Sequence, residues 1–190
     1  MRLTAGLLIA TVLAGAPLMA SAVGGVVGGV IVQEQGGAYR VTARFQVPQS
    51  AAAVLAVLTD YEQIPRFMPD VKTSTVRSRG AGRVMVEQEA EARTLMFSKR
   101  IHLLLDIHES ADGLWFVDTG GTSFTEYEGS WRLAVAGGET EVIYELRVRP
   151  AFDVPRFVLA RAMRKDATKM IEQLQVEIAA RQATTPGGTR

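Results

Sequence analysis

No cysteine occurs in the 190 residues, which excludes disulfides, thiol catalysis and cysteine metal ligands. Histidine is nearly as scarce. His102 and His108 fall on one expected strand at an even spacing, so they share a face but stand about 20 Å apart at ~3.3 Å per residue, too far to chelate one metal between them. The sequence also lacks His-Glu-x-x-His, Gly-x-Ser-x-Gly and Walker-type loops, the patterns that would place a catalytic zinc, a nucleophilic serine or a nucleotide phosphate. No metal and no cofactor are expected. An excess of charge is missing too: 21 basic side chains face 20 acidic ones, and residues 1–22 hold one of the arginines and no acid. A near-neutral surface gives little counterion-release affinity, so nucleic acid is set aside as a partner.

What is present is apolar. Hydrophobic residues make up 47% of the chain and charged ones 22%, enough to offset the entropy of folding in a single domain. At the N-terminus, Arg2 precedes an apolar run from Leu3 to Met19 and then Ala20-Ser21-Ala22, the small-x-small pattern that signal peptidase accepts. Gly6, Gly15 and Pro17 interrupt that run, which is shorter than the ~20 residues a spanning helix needs. The expectation is a signal peptide over residues 1–22, cleaved after Ala22, and a soluble periplasmic or secreted mature protein. A glycine-rich leader follows over 23–29, the domain over 30–181, and a disordered Thr/Gly/Pro tail over 182–190.

Extended segments are expected over 30–35 and 38–47, joined at Gly36-Gly37, a pair suited to a tight hairpin turn. Pro48 ends the second. Gln49 or Ser50 can cap a short helix to Leu58, with Val54, Leu55 and Leu58 as its apolar stripe. Residues 59–70 carry Pro65 and Pro69, so they read as one helical turn and a loop. Six strands then fit over 71–78, 83–92, 96–109, 114–118, 123–135 and 139–149, with turn chemistry between them and no room for crossover helices. From Pro155 to Arg181 there is no internal proline or glycine, and Ala160, Met163, Ala167, Met170, Ile171, Leu174 and Ile178 form a helical stripe. The fold class is therefore α+β: a curved seven-stranded antiparallel sheet wrapped around a long C-terminal helix, with two short helices after the first strand. Such a grip leaves a hollow along the helix.

Three segments carry a resemblance. Leu58-Thr59-Asp60-Tyr61 leads into Pro65-Arg66-Phe67-Met68-Pro69; Phe124 to Trp131 holds a Gly129-x-Trp131 step; and Arg149-Pro150 to Phe157 forms a proline-bearing approach to the last helix. In this order they resemble the START-like (SRPBCC, helix-grip) superfamily of polyketide cyclases, dehydrases and lipid-transport proteins, and most of all its coenzyme-Q-binding branch. The resemblance covers Val41 to about Ala180. It implies an internal cavity for lipids, quinones, polyketides or similar ligands, and it implies no particular reaction.

The ligand contacts expected are large apolar or amphipathic side chains: Tyr61, Phe67, Phe97, Trp115, Trp131, Tyr144, Phe157, Met163 and Met170. For each, ordinary core packing is the first reading, since large apolar residues are buried in any fold. Lys99 joins them because it shares strand parity with Phe97, Ile101, Leu103 and Leu105, which points it to the cavity or its mouth, unless it snorkels to solvent. Glu87, Glu89 and Glu91 read as a solvated outer face. With Trp131 inside, Glu126 and Glu128 are outside; in the reverse register Glu128 becomes an acid candidate. The main reading is a carrier of a hydrophobic small molecule or lipid, with transient membrane contact and an open question of a protein partner. A cyclase or dehydrase working through Lys99, Glu128 or Tyr144, or an interaction module using an exposed apolar patch, are its rivals.

Overall fold

A computed structural model describes residues 29–93, 98–153 and 155–184. The expected signal peptide, most of the glycine-rich leader and most of the tail lie outside the described residues, as does Phe97. In chain order the elements are β1 (Val30–Gln35), β2 (Ala38–Val47), α1 (Ala51–Leu58), a 3-10 turn (Tyr61–Gln63), α2 (Ile64–Phe67), β3 (Val71–Gly80), β4 (Arg83–Arg93), β5 (Ser98–Ser110), β6 (Gly113–Asp118), β7 (Phe124–Ala136), β8 (Glu139–Pro150) and α3 (Arg156–Thr184). All strands join one open, curved antiparallel sheet in the order β1-β2-β8-β7-β6-β5-β4-β3. The sheet has eight strands where seven were expected. The additional one is β1, whose residues alternate well enough to pair along their whole length with β2, from Val30 opposite Ala43 to Gln35 opposite Ala38. Gly36 and Gly37 turn this hairpin at φ 59° and 82°, the left-handed backbone that a two-residue loop of this hand requires.

The strand pleat sorts the sequence into two faces. On β2, Tyr39, Val41, Ala43, Phe45 and Val47 are all buried while Arg40 and Arg44 are exposed. On β5, Ile101, Leu103, Leu105 and Ile107 point into the concave face, which leaves His102 on the convex one. There His102 meets Glu87, Asp106 accepts from Arg83, and Glu126 accepts from Arg147 and Arg149, so the outer face is a lattice of charge pairs.

Helix α1 starts where expected: the Ser50 hydroxyl accepts from the Ala53 N–H at 3.3 Å. Its buried residues are Val54, Val57 and Leu58, so Val57 takes the place anticipated for Leu55, which packs at the margin. Helix α3 lays Ala167, Ile171, Leu174 and Ile178 across the concave face, the last three at most 1% exposed. At ~1.5 Å per residue its 29 residues span about 44 Å, long enough to cross the sheet. The concave face, α1 and α3 share one continuous core.

Candidate functional site

Between the sheet and α3 lies a largely apolar cavity of about 170 Å³. Its floor comes from the middle strands: Leu105 and Ile107 of β5, Leu114 and Phe116 of β6, Tyr127 and Trp131 of β7, and Tyr144 of β8. Met170 and Leu174 of α3 form the roof. One end is closed by Leu58 at the end of α1 and by the segment between α1 and β3, which contributes Tyr61, Ile64, Phe67 and Met68. Two prolines and a helical turn keep this segment short and folded inward, and polar contacts at its margins fix it. The Tyr61 hydroxyl donates to Glu109 Oε1 at 2.8 Å, Lys169 Nζ reaches Asp70 at 2.7 Å, and Arg181 reaches Asp60 at 2.7 Å.

The aromatic floor depends on one glycine. Gly129 sits on β7 opposite Phe116 of β6 and Leu146 of β8. A Cβ there would stand 2.5 Å from the Glu145 carbonyl oxygen and 2.6 Å from Phe116 Cζ, so only glycine lets the Phe116 ring lie across the strand. Two residues on, Trp131 packs against Tyr144 with ring centroids 4.4 Å apart. Tyr127 is flanked by Phe116 and Phe124 at 5.9 and 5.0 Å.

Among the described residues, no aspartate, glutamate, lysine, arginine or histidine lines the cavity. Its polar groups are Gln88, whose amide donates to Ser74 Oγ, the Trp131 indole, and the phenols of Tyr61, Tyr127 and Tyr144. Burial raises all three phenols. Tyr61 is raised further by its hydrogen bond to Glu109; Tyr127 is pushed up to about 12, with the Asp118 charge adding to burial; Tyr144 is held well above its ordinary value, with Tyr127 adding to burial. All three are neutral hydrogen-bonding groups at physiological pH.

Of the residues singled out from sequence, Tyr61, Phe67, Trp131, Tyr144 and Met170 meet at this cavity. Met163 is half-buried against the core but does not line it. Lys99 has the inward parity, yet it lies near the start of β5, exposed, with its ammonium 5.1 Å from the centre of the Phe152 ring. Trp115 and Phe157 depart from expectation. Trp115 is 49% exposed because Leu114 and Phe116 take the inward positions of β6, and its ring stacks at 4.0 Å on His108 of the convex face. Phe157 is 79% exposed, in the first turn of α3. Glu128 is exposed, as the Trp131-inward register requires. Tyr127, Gln88 and Met68 were missed. Parity with Trp131 on β7 could have found Tyr127, and parity with the buried Val84 and Val86 could have found Gln88.

A curved antiparallel sheet gripping a long helix over a largely apolar hollow defines a helix-grip protein. The model of the family described as "polyketide cyclase / dehydrase and lipid transport" matches residues 47–175, and the chain belongs to that family. Among curated proteins none matches the sequence. Solved structures share the fold at low identity. A START superfamily protein from Mycobacterium smegmatis is 16% identical with a TM-score of 0.65, covering 74% of this chain and 97% of its own. An aromatase/cyclase from Streptomyces is 13% identical with a TM-score of 0.65, covering 80% and 99%. A STAR-related lipid transfer protein from Xanthomonas axonopodis is 14% identical with a TM-score of 0.57, covering 80% and 99%.

Proposed function

We propose that this protein is an exported carrier that holds a hydrophobic molecule, such as a lipid, a quinone or a polycyclic compound, between its sheet and α3. The observation that carries this reading is the wall of the cavity, which among the described residues is apolar apart from neutral groups and contains no charged side chain. Burial of apolar ligand surface at ~25 cal/mol per Å² supplies the affinity in such a site. A cyclase or dehydrase moving protons through an inward acid or base is less well supported, because Lys99 and Glu128 both stand exposed and the lining phenols are raised away from the range of a general base. Family membership and the lipid-transfer and cyclase neighbours agree with a hydrophobic cargo. Export rests on the Arg2, Leu3–Met19 and Ala20-Ser21-Ala22 pattern.

Size bears on the cargo. At about 170 Å³ the cavity is smaller than the ~300 Å³ at which drug-sized sites begin, so it takes a compact ring system as it stands. A longer chain requires Met68, Met170 and the short segment over the opening to move, and unbranched thioethers repack readily. The test is native mass spectrometry of the protein purified from its source, with organic extraction of anything released and sequencing of its N-terminus. A stoichiometric hydrophobic passenger on a chain beginning at Val23 is the expected result. A clean apo mass, with no uptake of quinones, fatty acids or phospholipids, refutes the carrier reading, and a retained Met1 refutes export.

A further inference from the structure

Phe157, which stands away from the cavity, is the most exposed large apolar side chain among the described residues, at 79%. It lies in the first turn of α3, and residues 155–165 around it hold Arg156, Arg161, Arg164 and Lys165 with no acid. At ~100° per residue Phe157, Arg161, Arg164 and Lys165 share one side of the helix, and all four are exposed. Asp166, the first acid after them, is turned about half a revolution from Phe157. Among the described residues Arg161, Arg164 and Lys165 make no ion pair; those of α3 lie farther along, from Lys169 to Asp70 and from Arg181 to Asp60 and Glu177. Lys99 of β5 adds a cation at the same end of the molecule, its ammonium 5.1 Å from the centre of the Phe152 ring just before the helix.

This arrangement works against the fold on two counts. Cations in the first turns of a helix oppose its dipole, whose positive end lies there, and no acid in the first turn compensates. A phenylalanine ring held in water forgoes the burial that a core position would give it. The chain as a whole is almost neutral, with 21 basic and 20 acidic residues, so the cluster is a local asymmetry and not a general excess. Local choices that oppose the fold mark a surface kept for something outside it.

We infer that the first three turns of α3 form a docking surface for a membrane containing anionic phospholipid, with Arg161, Arg164 and Lys165 at the headgroups and the Phe157 ring among the upper acyl chains. The two components of this face meet the two layers of a bilayer interface, negative phosphate and apolar chain. A soluble polyanion satisfies the cations but leaves Phe157 in water. The inference goes beyond the carrier reading and does not rest on it, although the same helix roofs the cavity and Met170 stands only ~9 Å along its axis from Arg164.

Sedimentation with vesicles tests it, using the mature protein as its source processes it. Binding is expected to vesicles of mixed phosphatidylcholine and phosphatidylglycerol, to weaken as salt is raised, and to be absent with phosphatidylcholine alone. Each Lys or Arg near an anionic surface contributes about fivefold in affinity, so Arg161→Gln/Arg164→Gln/Lys165→Gln is expected to weaken binding roughly 100-fold, and Phe157→Ser roughly tenfold. Removing as many cations from the convex face, by Arg40→Gln/Arg44→Gln/Arg132→Gln, is expected to change binding little, since that charge lies outside screening range of the docked surface. Every side chain replaced is exposed, and thermal melts matching the parent confirm that the fold is kept. The inference is overturned if anionic vesicles are not bound, if neutral ones are bound as well, if the α3 triple variant or Phe157→Ser binds as the parent does, or if the convex-face variant loses as much as the α3 variant. Binding of DNA without binding of vesicles assigns the face to a soluble polyanion and overturns it equally. In each case the carrier reading, tested separately by the extracted passenger, is untouched.

Discussion

Replacing Gly129 by alanine adds a single methyl group, and the structure says where it goes. It meets the Glu145 carbonyl oxygen at 2.5 Å and Phe116 Cζ at 2.6 Å, about 0.8–0.9 Å inside the 3.4 Å at which ordinary contact begins. The ring can tilt, but it is confined by Tyr127 at 5.9 Å; the carbonyl belongs to the central strand β8 and cannot rotate away. Overpacking of this kind costs ~1–3 kcal/mol, and the backbone clash puts Gly129→Ala in the upper half of that range. At roughly 2–4 °C per kcal/mol for a domain of this size, Tm falls by about 4–12 °C. Gly80→Ala is the control: it also lies in a strand, a Cβ there meets nothing within 4 Å, and the lower backbone entropy of alanine in the unfolded chain makes it neutral or stabilising. Urea and thermal unfolding followed by circular dichroism and tryptophan fluorescence measure both. Equal midpoints for Gly129→Ala and Gly80→Ala would refute the claim that β7 needs glycine for Phe116 to cross it.

Two further outcomes follow from the ionisable groups. Tyr61, Tyr127 and Tyr144 are all raised, so an absorbance titration near 295 nm is expected to show no more than one of the four tyrosines ionised at pH 11 in the folded state and all four in denaturant. Because the unfolded phenols lose their protons first, near pH 10, the stability these groups contribute is complete below pH 10 and declines above it, that of Tyr127 being lost as pH rises through about 12; three tyrosines titrating near pH 10 in the native protein would contradict their burial. On the acid side, the Arg83 guanidinium holds Asp106 below its ordinary value, chiefly by hydrogen bonding. Its contribution is present above ~pH 4 and lost as pH falls through the lower native value, so the urea midpoint drops below pH 4 and Arg83→Met shrinks that drop; an unchanged acid profile in the variant would count against the pair.

Much of this architecture was legible because strand periodicity and turn chemistry are local. The alternation on β2, the Gly36-Gly37 turn, the Ser50 cap and the stripe from Ala167 to Ile178 are each written in a few consecutive residues. The site was legible only in part. Parity shows which side chains share a face, as it set Glu126 and Glu128 opposite Trp131, but not how far along the strand the cavity extends, and Lys99 has the right parity at an exposed position. Trp115 was misplaced because hydrophobicity was given more weight than the parity of its neighbours Leu114 and Phe116, and stacking on His108 gives an exposed indole a partner on the convex face. The gap beneath Met170 and Leu174 is set by the curvature of all eight strands together, which no short window contains.

The strand order has a consequence for how the molecule comes into being. Because β2 lies beside β8, Tyr39 must wait for Val148 before the centre of the sheet can close, and α3 follows only after that. Long-range pairing of this kind slows folding, and until the 29 residues of α3 dock, the concave face with Phe45, Leu103 and Trp131 has no roof. An emerging chain therefore presents, for most of its synthesis, a half-built greasy bowl, and the helix that later retains a guest is also what ends the nascent protein's exposure to aggregation.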